Sequence, residues 1–198
     1  FDEKYKGRIS MYDATPTVTV AALALGIDPF AFGDEDGAKI KALLMKQREL
    51  VRFYWNAPAE IQQALAAGEL AVAYAWNDSV AALMKQGLPV KYMVPKEGIL
   101  SWTCGLVHMA NAKATDAEVY DFIDAMTAPE SGKFLIEQYA YGHSNRKSFE
   151  IADQKIVADL GFSSPSDLFK SSVFETEVSP EMEQKRNKIF EDVKAGIN

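Results

Sequence analysis

The chain has 198 residues, 48% of them hydrophobic, and a formal net charge of -7, which provides apolar material for a globular core and argues against disorder. Lys and Glu are interspersed and no basic stripe is present, so the chain lacks the surface that releases counterions from phosphates, and no nucleic acid is expected as a partner. The single cysteine, Cys104, excludes an internal disulfide and a cysteine-built zinc site and leaves the redox compartment open.

The first residues, Phe1 to Gly7, contain neither an initiating Met nor the regions of a signal peptide, and read as the middle of something longer. Arg8 to Asp13 alternates apolar and polar residues as a strand does. After Asp13-Ala14-Thr15-Pro16 comes a helix-compatible run from Thr17 to Leu25, closed by Gly26. The apolar run Val18 to Gly26, broken only by Thr19, is far shorter than the roughly 20 residues of a bilayer span. Gly33-Asp34-Glu35-Asp36-Gly37 is too acidic for a phosphate loop and is expected as a turn. Ile40, Leu43 and Leu44 mark a helix over 35–47, and Val51 to Trp55 is a strand by its β-branched and aromatic content.

Pro58 opens a helix that Gly68 ends. Leu70 to Ala75 is almost wholly apolar, as in a strand buried on both faces. Ser79 to Gln86 is expected as a short helix and Val90 to Val94 as a strand, so strand and helix alternate as in an α/β fold with a mainly parallel sheet. Helices then dominate: Thr115 to Met126, Pro129 to Tyr139, and Pro180 to Val193, whose stripe is Met182, Arg186, Ile189, Phe190 and Val193. Tyr141 to Ser148 is polar and loop-like. Glu175, Glu177, Glu181 and Glu183 form an acidic run suited to the start of the last helix.

The densest information lies between Leu70 and Leu106. One apolar strand ends in Trp76-Asn77-Asp78-Ser79; after Val94-Pro95-Lys96-Glu97-Gly98, a second apolar run carries Trp102-Thr103-Cys104-Gly105. Aromatic faces at strand ends beside small polar groups suit a cleft that buries a ligand's hydrocarbon and orients its ends. Trp55 is expected to pack. His108, in an apolar strand context, and His143, in a loop, lack the spacing of metal ligands, and Cys104 reads as a small buried thiol rather than a nucleophile. No cofactor is expected.

Lys6-Gly7-Arg8-Ile9, Leu70 to Trp76, the Pro95-Lys96-Glu97-Gly98 turn and Trp102 onward resemble, in order and spacing, the spermidine/putrescine-binding proteins, extracytoplasmic solute receptors of polyamine-type ABC importers. The resemblance runs over nearly the whole chain. It implies a type II periplasmic-binding-protein fold, an α/β two-lobed clamshell closing by hinge motion, with one lobe incomplete here. It further implies a lobe over 1–95, a segment over 96–148 returning to the N-terminal lobe, and a helical tail over 149–198 packing back. The implied protein is a non-catalytic monomer, periplasmic or otherwise extracytoplasmic (lipid-anchored in a Gram-positive cell), which passes an amine-bearing solute to permease subunits in the inner membrane.

The same resemblance implies that Trp76 and Trp102 stack on the ligand. The family's amine-binding carboxylates fall at Cys104, near Thr17, and at Asp78 or Ser79, so two of the three positions hold no carboxylate. A desolvated ammonium without an ionised partner costs several kcal/mol, whereas a charge-assisted hydrogen bond returns about 1.5–3 kcal/mol. Asp78 and Asp13 are therefore the candidate negative charges, and each is equally an N-cap candidate. A zwitterion such as 4-aminobutyrate is the alternative ligand, with Arg8, Arg52, Arg146 or a residue of the incomplete lobe as candidate partners for its carboxylate. Two rivals belong to other classes. An enzyme would need a nucleophile, a base and an oxyanion site, and no such set is legible. A free-standing single-lobe sensor should lack the exposed apolar face otherwise expected near Ile99 to Met109.

Overall fold

Parallel strands joined by helices organise the first part of the chain, as short strands alternating with amphipathic runs require. The computed structural model describes residues 2–160, 166, 169–170 and 172–197. By its internal contacts the chain divides into two units, Phe1–Lys91 with Pro95–Glu97 and Glu175–Asn198, and Tyr92–Val94 with Gly98–Phe174.

In the first unit, β1 (Ile9–Tyr12), β2 (Val51–Trp55) and β3 (Val72–Ala73) form a parallel sheet in the order β2-β1-β3. The helices α1 (Pro16–Ala24) and α2 (Asp34–Arg48) connect β1 to β2, α3 (Pro58–Ala66) connects β2 to β3, and α4 (Asn77–Lys85) follows β3. Because β1 is central, the chain moves first to one side of it and then to the other, and the strand order reverses between β1 and β3. The last helix, α9 (Pro180–Ala195), contributes Ile189, Phe190 and Val193 to a core shared with Val18, Ile40 and Leu44. Its predicted stripe is the buried face, Arg186 included. The Arg186 guanidinium donates to Thr19 Oγ1 at 2.8 Å and lies 3.3 Å from Glu183 and 3.9 Å from Glu175. Burial pushes the Glu175 carboxyl above its usual range against the pull of Arg186.

Three expectations are corrected here. Leu70 to Ala75 is not a strand buried on both faces: the ladder spans only Val72–Ala73, and Ala71 and Val72 are exposed, because β3 is the last strand of this sheet. Val90 to Val94 is irregular backbone rather than a strand. The acidic Gly33–Gly37 stretch is no turn, since α2 begins at Asp34. Carboxylates in a first turn are favoured by the helix dipole, and the Lys185 ammonium at 2.7 Å holds the Asp34 carboxyl below its usual range.

The second unit pairs β4 (Ile99–Ser101) with β5 (Ser172–Phe174) in parallel and carries α5 (Asp116–Thr127), α6 (Pro129–Tyr139), α7 (Arg146–Ile151) and α8 (Gln154–Leu160). Thr115 and Glu118 cap α5 reciprocally. Ile136, Phe149, Ala152 and Val157 form a core cluster. The polar Tyr141–Ser148 stretch is only partly loop, because Asn145 accepts the Lys147 N–H at 3.0 Å and starts α7. The expected helical tail includes residues 161–165, 167–168, 171 and 198, which lie outside the described residues. No helix among the described residues is long and apolar enough to cross a membrane.

Candidate functional site

Aromatic side chains gather at the carboxyl ends of the first unit's strands. Tyr12 and Trp55 are register partners at the last positions of β1 and β2, and Tyr74 and Trp76 follow β3. The Tyr12 ring lies 4.6 Å from that of Trp55 and 5.5 Å, edge on, from that of Trp76; the Trp55 and Trp76 centroids are 5.3 Å apart. Trp55 is wholly buried and its indole N–H donates to the Tyr74 carbonyl at 2.9 Å, so it forms a fixed floor. Tyr12, Tyr74 and Trp76 are half-buried around it. In open parallel sheets, ligands bind outside the carboxyl ends of the strands where the strand order reverses, and here that is the β1/β3 position of Tyr12 and Trp76.

Polar groups complete this end of the sheet. Trp76 occupies the N-cap position of α4, so Asp78 is a first-turn residue and not a cap; its carboxylate accepts from the Ser79 hydroxyl at 3.3 Å. Ser79 is buried and in turn accepts from Gln62 Nε2 at 3.2 Å. Asp13 is not a cap either, since Thr15 holds the N-cap position of α1. Its two carboxylate oxygens accept separately, from Lys194 Nζ at 2.8 Å and from Asn56 Nδ2 at 3.2 Å. The hydrogen bond that the Lys194 ammonium donates to Asp13, with a smaller contribution from Glu191, holds it above the usual lysine range. Thr17 is buried, and its hydroxyl donates to the Tyr12 carbonyl at 2.6 Å.

In the second unit, Trp102 and Cys104 lie in irregular backbone beyond β4. Both are exposed, as is His108. The buried thiol and the strand histidine expected from the sequence are thereby corrected: the strand ends at Ser101, and both residues lie beyond it and are exposed. Leu106, Val107 and Met109 are also exposed, Val107 to 80%, whereas Ile99 and Leu100, in the same expected apolar face, are partly buried. Of the candidate cations, Arg52 pairs with Glu69 at 3.0 Å and Arg146 with Glu150 at 3.8 Å. Among the described residues no group of three or more His, Cys, Asp or Glu side chains could hold a metal ion.

Sequence reasoning missed Tyr12, Tyr74 and Lys194. The position of Tyr12, last in its strand before a turn and opposite Trp55, is a signal that a strand alignment would have found. Lys194 carries none, because its partner is 181 residues away.

These features define an α/β protein with an aromatic cluster at the carboxyl ends of a parallel sheet, and known structures share the fold. The spermidine/putrescine ABC transporter substrate-binding protein PotD of Streptococcus pneumoniae superposes with a TM-score of 0.77 at 16% identity, over 98% of this chain and 60% of that one. The Atu4243-GABA receptor gives 0.63 at 22% identity, over 97% and 57%. The family model for bacterial extracellular solute-binding proteins matches residues 1–161, and the chain belongs to that family. The putrescine-binding periplasmic protein PotF of Escherichia coli K12 is 25% identical over 197 residues, 95% of this chain and 52% of that protein. The chain thus spans about half the length of the curated relatives it matches.

Proposed function

We propose that the chain is part of the substrate-binding component of an ABC importer, taking a small amine-bearing solute of the putrescine and spermidine class and delivering it to membrane permease subunits. The observation that carries this reading is the partly accessible Trp76, set against Tyr12 and Trp55 where the strand order reverses, with Asp78 two residues further on in the first turn of α4. A ligand's methylene chain would lie on the aromatic faces, where its ammonium also gains cation–π attraction, and Asp78 would accept a charge-assisted hydrogen bond from the amine. The mechanism is capture without bond making, in a periplasmic or otherwise extracytoplasmic compartment. Relatives named as putrescine- and spermidine-binding periplasmic proteins support the ligand class and the compartment.

Calorimetric titration of the receptor at its full natural length tests the proposal, with putrescine, spermidine, 4-aminobutyrate and a neutral diol of similar length. Binding of an amine but not of the diol is expected, and heat from the diol alone would sink the reading. Trp76→Ala is expected to weaken amine binding by about 10- to 100-fold while leaving the fold intact, because the ring is half-buried and at the edge of its cluster. A second reading, a zwitterion such as 4-aminobutyrate, is favoured by Cys104 and Thr17 standing where the resemblance implies carboxylates.

A further inference from the structure

We infer that Lys194 is a built-in ammonium that occupies Asp13 and thereby limits the first unit to a single cationic group of its ligand. This rests on the receptor reading above and concerns which amines such a receptor selects.

Asp13 directly follows Tyr12 of the aromatic cluster, and its backbone N–H donates to the Trp55 carbonyl at 3.0 Å, which anchors it at the carboxyl ends of β1 and β2. A carboxylate there has the chemistry to receive a ligand amine. Both of its oxygens are engaged, however, and one of the two donors is itself an ammonium. Lys194 is held in place by its helix: Phe190 and Val193 are buried, the Phe190 ring lies 5.0 Å from Nζ, and Glu191 stands 3.1 Å from it. The Lys194 and Asp13 side chains are only 29% and 21% exposed, so the pair is better shielded than an ordinary surface salt bridge. A tethered partner competes at high effective concentration, and a ligand ammonium must displace it before Asp13 can contribute.

Asp78 differs. Its carboxylate accepts from the Ser79 hydroxyl and has no cation within ion-pair distance among the described residues. Of the two candidate carboxylates at this end of the sheet, one is therefore already neutralised and one available, which disfavours two ammonium groups there and tolerates one.

The test is titration of the full-length receptor and its Lys194→Met variant with putrescine and 4-aminobutyrate, reading the ratio of the two dissociation constants. Methionine keeps packing against Phe190 and removes the charge; Lys194→Gln serves if the Met variant does not fold. The expected result is a shift of the ratio toward putrescine by about tenfold, the size of one charge-assisted hydrogen bond. Lys194→Arg, which keeps the cation, should hold the ratio within about threefold of the parent, and adding Asp13→Asn to Lys194→Met should abolish the gain. An unchanged ratio in Lys194→Met, or a gain that survives Asp13→Asn, overturns the inference alone. A parent receptor that binds neither amine overturns the receptor reading, and this inference with it.

Discussion

Replacing Gly132 by alanine is expected to destabilise the second unit by about 3 kcal/mol, the upper end of ordinary overpacking. Gly132 lies buried in α6, and a methyl group built on it would overlap the Ser148 hydroxyl and the His143 ring. Neither neighbour is free to yield. His143 Nδ1 accepts from the Asn145 N–H at 3.2 Å and the Ser148 hydroxyl at 3.1 Å, so Nε2 carries the proton and donates to the Met126 carbonyl at 3.2 Å. One imidazole thus ties the end of α5 to the start of α7, and Gly132 provides the room for it. Gly37→Ala in α2 is the control. There the nearest atoms would be Phe32 Cε2 at 3.4 Å and Ile189 Cδ1 at 3.5 Å, ordinary contact distances. Its expected effect is a gain of up to about 1 kcal/mol, from the reduced entropy of the unfolded chain. Hydrogen exchange of the α6 and α7 amides distinguishes the two: protection should fall in Gly132→Ala and hold in Gly37→Ala. Unchanged protection in Gly132→Ala would mean that the His143 ring moves aside at little cost.

Helix starts and stops were the most legible part of this fold. Pro58, Pro129 and Pro180 each stand at the first position of a helix, and Gly26 and Gly68 adopt the left-handed conformation just beyond helix ends, at φ 70° and 71°. β2 was readable to the residue because its aromatic and β-branched run is bounded on both sides. β3 was not, since an apolar run says that a segment avoids water somewhere and not how many strands flank it. Val90 to Val94 has strand composition without a partner, and composition cannot supply one. The site divides the same way. That Trp76 follows a strand was legible, whereas the partner of Asp13 was not: a cap is decided by neighbours in sequence, but the ammonium that took Asp13 arrives from α9.

Truncating Trp55 to alanine is expected to cost about 3–5 kcal/mol of stability, the largest single effect in the first unit. The side chain is wholly buried and packs with Ile61 and Leu70, so its removal leaves a cavity that three elements, β2, α3 and the segment before β3, would each have to move to fill. It also leaves the Tyr74 carbonyl without the indole donor now 2.9 Å away. Trp55→Phe separates these contributions: it retains most of the ring volume and loses the hydrogen bond, for an expected cost nearer 1–2 kcal/mol, roughly that of one unsatisfied polar group. Urea unfolding of parent and variants reads both differences. The contrast with Trp76→Ala carries the functional argument, because the two rings touch at 5.3 Å yet are expected to fail differently. Loss of Trp55 should lower stability and amine binding together, since the floor on which Tyr12 and Trp76 rest is gone. Loss of Trp76 should lower binding alone. If Trp55→Ala bound amine normally, or if Trp76→Ala melted as early as Trp55→Ala, the division of this cluster into a structural floor and a ligand-facing edge would be wrong.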